Sequence, residues 1–79
     1  MTTPAQNLTK IARGVRLAES GAGRARRIAS GVSQEALAQA IGVTAAAVSL
    51  WEHGQRVPQA EHAVRYYDAI NALERVARS

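Results

Sequence analysis

The sequence predicts an all-α protein, a compact arrangement of five helices without a sheet. Apolar residues recur at three- and four-residue steps along much of the chain, which is the helical period. Alternation of apolar and polar residues, the strand signature, never persists over four or more residues. Glycines separate the periodic stretches. A chain of 79 residues is expected to form a single domain, residues 1–79.

The first helix is predicted to be amphipathic and to cover about residues 5–19. Pro4 lies near its start, where proline fits the first turn. Gly21 and Gly23 are expected to break or bend the chain after it. Its inner face is predicted from the apolar residues at helical spacing, which are Leu8, Ile11, Ala12, Val15 and Ala18.

The second and third helices are predicted from their boundary residues. The second is expected over about 22–30, with Ile28 pointing inward and Gly31 closing it as a C-cap. Ser33 is a favourable N-cap for a third helix over about 34–41.

The fourth helix follows a tight turn. Gly42 readily adopts the left-handed conformation that such a turn requires. Thr44 is expected to cap a helix over about 45–53, which Gly54 ends, and Pro58 prevents it from resuming.

The last helix is expected from residue 59 or 60 to residue 76. Its two adjacent tyrosines, Tyr66 and Tyr67, must point in different directions, and one of them is expected to pack inward. Its inner face is predicted to include Val64, Tyr67, Ile70 or Asn71, Leu73 or Glu74, and Val76.

Positive charge is concentrated in the first part of the chain. Residues 1–31 contain six basic and one acidic residue, a net charge of +5, whereas residues 32–79 contain four basic and five acidic residues, a net charge of −1. Such asymmetry suits a polyanionic partner, although a solvated surface explains it equally well. There are no cysteines, which excludes disulfides and thiolate metal sites. No apolar run approaches the length of a membrane span, and a cytoplasmic protein is expected.

The spacing over about residues 33–54 is typical of a helix-turn-helix. Ala38 is small where the two helices cross, and Gly42 turns the chain. The helix that begins after Thr44 can then present its outer face to a DNA major groove. Five apolar residues are expected to hold the pair of helices against the rest of the protein: Leu37, Ile41, Val43, Val48 and Trp51.

A family resemblance rests on two segments of the chain. They are residues 31–38, Gly-Val-Ser-Gln-Glu-Ala-Leu-Ala, and residues 51–58, Trp-Glu-His-Gly-Gln-Arg-Val-Pro. They resemble the lambda-repressor-like helix-turn-helix family, which includes phage repressors, Cro proteins and Xre-type bacterial regulators. The similarity covers about residues 22–75 and leaves the N-terminal helix as a possible addition. It implies a five-helix domain that binds operator DNA, usually as a dimer on a palindrome.

The resemblance also implies roles for individual residues. Gln34 matches a glutamine that contacts phosphate and braces the reading helix. Arg27 and Glu52 match a partly buried structural ion pair. Gln55 and Arg56 match a loop that approaches the phosphate backbone, where arginine is a natural ligand.

The reading helix of this chain is poor in polar side chains. Ala45 and Ala46 can only pack on a thymine methyl or admit a close backbone approach. Direct base contact is therefore expected from Thr44, Ser49, Gln34 and Leu50, the last being apolar at a position expected to face outward. Specificity is expected to come largely from DNA shape, dimer spacing or arginines outside the motif. The arginines considered for phosphate or minor-groove contact are Arg13, Arg16, Arg24 and Arg26.

The expected function is that of a sequence-specific transcriptional regulator, a phage-type repressor or Cro-like protein acting by operator occupancy. It is expected to bind double-stranded DNA as a homodimer through the last helix, or alternatively through the N-terminal helix. The pattern indicates no enzyme, cofactor, metal site, small-molecule ligand or membrane partner. Two alternatives stay open: an antitoxin that binds a toxin as well as DNA, and a protein-interaction module on the same fold.

Overall fold

A computed structural model describes residues 4–78, with side chains described up to residue 76; residues 1–3 and 79 of the expected domain lie outside this range. The described part contains five helices and no strand. The predicted all-α, five-helix fold is therefore confirmed. The helices are α1 (Pro4–Ser20), α2 (Ala22–Ala29), α3 (Gln34–Ile41), α4 (Ala45–Glu52) and α5 (Ala60–Arg78).

The two longest helices, α1 and α5, pack against each other in opposite directions. Lys10 forms an ion pair with Asp68, with Nζ 3.2 Å from Oδ1. Four residues further along α1, Gly14 lies against the backbone of Ala63, five residues earlier on α5. The N-terminal end of α1 therefore lies beside the C-terminal end of α5.

The core lies where all five helices meet. The side chains of Ile41, Val48, Tyr66 and Ile70 are fully buried. The ring of Trp51 meets that of Tyr66 edge-on, with centroids 5.6 Å apart, a geometry that aromatic pairs favour. Of the five residues predicted to hold the helix-turn-helix, Leu37, Ile41, Val48 and Trp51 are buried and Val43 is half-buried.

The predicted inner face of α1 is partly wrong. Leu8 is 68% exposed and Ala12 is exposed, whereas Gly14, Leu17 and Ala18 are buried. Leu8 and Leu17 are nine residues apart, or two and a half helical turns, so they point in opposite directions. The helix approaches α5 through its smallest residue, and this turns Leu8 away from the core.

Three further predictions about burial are wrong. Ile28 is 51% exposed because its neighbour Arg27, together with Gly23, occupies the inner face of α2. Val76 is 64% exposed because it lies on α5 beyond the last core residue. Tyr67 was predicted to lie on the inner face of α5, but it is half-buried, and Tyr66 is the tyrosine that is fully buried.

Gly21 and Gly23, which were both expected to interrupt the chain, have different roles. Gly21 has a φ of +80° and separates α1 from α2. Gly23 lies inside α2, where a β-carbon would overlap the hydroxyl group of Tyr66. Glycine is needed at this position because α2 and α5 lie close together, and not because the chain turns there.

Candidate nucleic-acid interface

The turn between α3 and α4 is closed by backbone hydrogen bonds. Gly42 has a φ of +89°, in the left-handed region that favours glycine. Its N–H group donates to the carbonyl oxygen of Ala38 at 2.8 Å, and the N–H group of Val43 donates to the same oxygen at 3.0 Å. These bonds satisfy the end of α3 and fix the direction in which the chain enters α4.

Hydroxyl groups cap both helices of the motif. The Ser33 Oγ accepts a hydrogen bond from the N–H group of Ala36 at 3.0 Å. The Thr44 Oγ1 accepts one from the N–H group of Ala47 at 3.1 Å. Thr44, a predicted base-contacting residue, thus uses its oxygen as an acceptor within the protein. Its hydroxyl proton remains available for donation to a partner at the N-terminus of α4.

The outer face of α4 is narrower than the sequence suggested. Ala46 is exposed, whereas Ala45 is half-buried and packs against the core. Ser49 is half-buried. Leu50, expected to face outward, is also half-buried, because it lies beside Trp51 at the edge of the core-facing side.

His53 extends this outer face, and the sequence reading did not include it among the DNA-binding residues. It lies seven residues, about two turns, after Ala46 and is exposed. Its Nδ1 lies 2.7 Å from the carbonyl oxygen of Ser49. A carbonyl oxygen only accepts, so the proton is assigned to Nδ1 and Nε2 is left toward solvent. The seven-residue spacing from Ala46 is the signal in the sequence that could have identified this position.

A buried ion pair fixes α4 relative to α2. The Arg27 Nε donates to Glu52 Oε2 at 2.6 Å, and Nη2 donates to Oε1 at 2.9 Å. Nη1 of Arg27 also donates to the carbonyl oxygen of Val32 at 2.8 Å. The carboxylate of Glu52 is completely buried. Burial by itself raises the pKa of Glu52, but hydrogen bonds from Arg27 and Gln34 outweigh it and bring the pKa below its ordinary value.

Gln34 joins the start of α3 to the end of α4. Its Nε2 donates to Glu52 Oε1 at 2.9 Å, which is the bracing contact that the family resemblance implied. Arg24 lies at the edge of the same cluster, with Nε 4.0 Å from Glu52 Oε1 and its side chain 53% exposed. Gln34 and Arg24 are thus placed together beside the C-terminal end of α4.

Arg24 and Arg26, predicted together as DNA contacts, point in different directions. They are two residues apart on α2, which corresponds to about half a turn. Arg24 approaches Glu52, whereas Arg26 approaches Glu74 on α5, with Nη2 4.0 Å from Oε1. Arg26 therefore does not share the surface on which Gln34 lies.

The loop between α4 and α5 carries the remaining predicted residues. Gln55 and Arg56 are both exposed. The N–H group of Gln55 donates to the carbonyl oxygen of Leu50 at 2.9 Å, which holds the loop against the end of α4. Arg56 borders a groove with Val57 and His62. An exposed arginine on a short loop after α4 is free to reach a phosphate.

None of the helices in the described range combines the length and apolar character needed to cross a bilayer. Among the described side chains, no three histidines, cysteines or acidic residues come together in a way that would hold a metal ion.

A family model described as helix-turn-helix matches residues 24–74, more than half of the chain. The matched range contains α3 and α4 and leaves out α1. No curated protein and no solved structure shows significant similarity to the chain.

Proposed function

The chain belongs to the Cro/C1-type helix-turn-helix family of DNA-binding transcriptional regulators, and from that premise we propose that it represses transcription by occupying an operator. The observation that carries the proposal is the geometry of α3 and α4. The outer face of α4 is exposed to solvent. The helix is held in this orientation by the glycine turn, the two hydroxyl caps and the buried carboxylate of Glu52. That arrangement suits insertion of α4 into a major groove about 12 Å wide.

In the proposed complex, phosphate contacts lie around the C-terminal end of α4. Arg24 and Gln34 approach one strand near the start of α3, and Gln55 and Arg56 approach the backbone from the loop after α4. Guanidinium groups bind phosphate through paired, charge-assisted hydrogen bonds. These contacts fix position and orientation but carry little sequence information.

Base contacts in the proposed complex come from few groups. Thr44 and Ser49 supply hydroxyls, His53 supplies Nε2, and Ala46 offers a methyl that packs on a thymine methyl. Because so few polar groups are available, DNA shape and half-site spacing contribute much of the specificity. Ala45 and Leu50 contribute at the edge of the contact, since both are half-buried.

We further propose that the regulator acts as a homodimer on a palindromic site. Leu8 on α1 and Val76 on α5 are 68% and 64% exposed. The antiparallel packing of these helices brings both residues to one end of the molecule. This apolar end supports pairing with a second copy through α5 and α1 together, and replacing both residues with glutamate is expected to yield monomers in sedimentation velocity.

The primary test is selection of bound duplexes from a random pool, followed by affinity measurements on the enriched site. Arg56→Gln is expected to weaken binding on all duplexes alike and to reduce the slope of log affinity against log salt by about one. Arg16→Gln is the matched control. The sequence made Arg16 a candidate for phosphate contact, but it lines a groove between α1, α2 and α5, and its loss should leave DNA affinity unchanged. Failure to bind any duplex at low salt would contradict the proposal and favour the protein-interaction alternative.

A second test concerns base reading by α4. Ala46→Gln adds a polar group at the exposed position of the outer face and is expected to change the sequence preferred in the selection. An unchanged preference, with binding retained, would show that this face does not read bases.

A further inference from the structure

A groove lies between α1, α2 and α5, outside the helix-turn-helix. It is open to solvent and has a volume of about 430 Å³. Specific small-molecule sites commonly have volumes of roughly 300–1,000 Å³. Arg13, Arg16 and Leu17 line it from α1, and Arg26 lines it from α2. Tyr67, Asn71 and Glu74 complete the wall from α5.

The groove has an excess of positive charge. Three guanidinium groups face one carboxylate, that of Glu74, which approaches Arg26 at 4.0 Å. The Arg13 Nη1 donates to the hydroxyl oxygen of Tyr67 at 3.2 Å, so its nearest partner is neutral. Among the described side chains, the guanidinium of Arg16 makes no hydrogen bond or ion pair.

The position of the two α1 arginines is unfavourable for the protein alone. Arg13 and Arg16 are three residues apart, so they lie on one face of α1, where like charges repel. The Tyr67 hydroxyl that Arg13 contacts is also hydrogen-bonded to Asn71, and these two bonds lower the pKa of Tyr67 below its ordinary value. An anion placed between the two guanidinium groups would replace repulsion with paired hydrogen bonds.

The wall between the charged groups is partly apolar. Leu17 is 8% exposed and Ala22 is half-buried, and both border the groove. A ligand that carries both an anionic group and apolar surface would match this lining.

We propose that this groove binds a small organic anion, whose carboxylate or phosphate is held by Arg13 and Arg16 while its apolar part lies on Leu17. Arg26 provides a third positive charge at the α2 side. The proposal is independent of the DNA-binding assignment, since none of these residues belongs to α3, α4 or the loop after α4.

A concave site favours a small anion over a nucleic-acid backbone. The backbone of a duplex is reached readily by an exposed side chain on a loop, such as Arg56. In the groove, by contrast, the guanidinium groups line an open depression between three helices.

The test is an NMR titration of the full chain with phenyl phosphate, benzoate, inorganic phosphate and neutral benzyl alcohol. Phenyl phosphate or benzoate is expected to cause saturable shifts confined to amides near residues 13–26 and 67–74. Inorganic phosphate should bind more weakly because it lacks the apolar part, and benzyl alcohol should cause no saturable shift. The two anionic probes distinguish a carboxylate from a phosphate ligand.

The matched variants are Arg16→Gln and Arg56→Gln. Arg16→Gln removes one charge-assisted contact and is expected to weaken binding of the preferred probe about tenfold or more. Arg56→Gln should leave probe affinity unchanged although it weakens DNA binding. Circular dichroism checks that both variants keep the helical fold.

Three results would overturn the proposal. The first is an absence of saturable shifts with every probe, and the second is equal probe affinity in the wild-type chain and Arg16→Gln. The third is a duplex titration in which the groove amides shift together with those of α4, because the groove would then be a DNA contact. Loss of DNA binding with probe binding intact would instead contradict only the regulator assignment.

Discussion

The pairing of α3 with α4 and the pairing of α1 with α5 are built in different ways. The first depends on directional hydrogen bonds, from the turn at Gly42 to the bond between Gln34 and Glu52. The second has polar contacts at its edge, between Lys10 and Asp68 and between Arg13 and Tyr67. Its centre depends on close approach, because Gly14 lies directly on the backbone of Ala63. Directional bonds fix the angle of a helix while leaving its outer face free for other uses. Close approach fixes the distance between helices and tolerates no added atom.

The largest expected effect concerns the buried carboxylate. Glu52→Gln keeps the shape of the side chain but leaves the charge of Arg27 buried and uncompensated. We expect the free energy of unfolding to fall by about 3 kcal/mol, measured by urea denaturation. Glu61→Gln is the control, since Glu61 is an exposed partner of Arg65 on one helix face, and its loss should cost less than about 0.5 kcal/mol. Equal stability of the two variants would show that the ion pair does not hold α4.

A slightly smaller effect is expected at the close contact. Gly14→Ala places a methyl group against the carbonyl of Ala63, which cannot rotate away. We expect a net loss of about 2 kcal/mol, because overpacking outweighs the better helix propensity of alanine. Asn7→Ala, at an exposed position of the same helix, should be neutral or slightly stabilising. A Gly14→Ala variant as stable as Asn7→Ala would mean that α1 and α5 separate at little cost.

Acid should weaken the ion pair that holds α4, and the wild-type chain should therefore lose more stability than Glu52→Gln. The folded-state pKa of Glu52 is below its unfolded value of about 4.3, so its contribution is present above that value. The contribution is lost as pH falls through the folded-state pKa. Urea midpoints measured downward from about pH 5 should therefore fall more steeply for the wild-type chain than for Glu52→Gln. Parallel curves for the two proteins would be inconsistent with a depressed pKa.

The smallest effect on stability is expected at the adjacent tyrosines, Tyr66 and Tyr67. Burial raises the pKa of Tyr66 to about 12, whereas hydrogen bonds with Asn71 and Arg13 lower that of Tyr67. Phenolate absorbance should rise in two steps, and Tyr66→Phe should remove the later one. The contribution of Tyr66 to stability is present below its unfolded pKa of about 10 and is lost as pH rises through the folded value. A single step would contradict the different environments of the two rings.

The same variant tests the interior near Gly23. Within the described residues, the buried hydroxyl of Tyr66 has no hydrogen-bond partner. Its removal at neutral pH should change the free energy of unfolding by less than about 1 kcal/mol, in the stabilising direction. A large loss would show that the hydroxyl makes a contact that matters for folding.

The sequence predicted the helix-turn-helix in detail because each position there has a strict local requirement. Gly42, the caps Ser33 and Thr44, and the buried Leu37 and Trp51 all follow from spacing. The inner face of α1 was mispredicted because glycine and alanine make its contact with α5. Such small residues contribute little to an apolar pattern, so Leu8 was placed inside and Gly14 was overlooked.

The candidate site shows a similar division. The contact between Arg27 and Glu52 was implied by family resemblance, and the structure gives its atoms and distances. That Arg24 and Arg26 diverge follows from their two-residue spacing, but which of them lies near Gln34 depends on how α2 packs on α5. The groove beside Arg16 required the tertiary arrangement of three helices that are distant in sequence.

The segment that matches the family model, residues 24–74, is shorter than the part of the chain that forms the hydrophobic core. Leu17 and Ala18 belong to the same hydrophobic cluster as Trp51 and Tyr66, although they precede the first matched residue. A fragment trimmed to the recognised segment would leave part of that cluster facing water. Such a fragment is expected to be aggregation-prone, so α1 is better regarded as an integral layer of the folding unit than as an appendage.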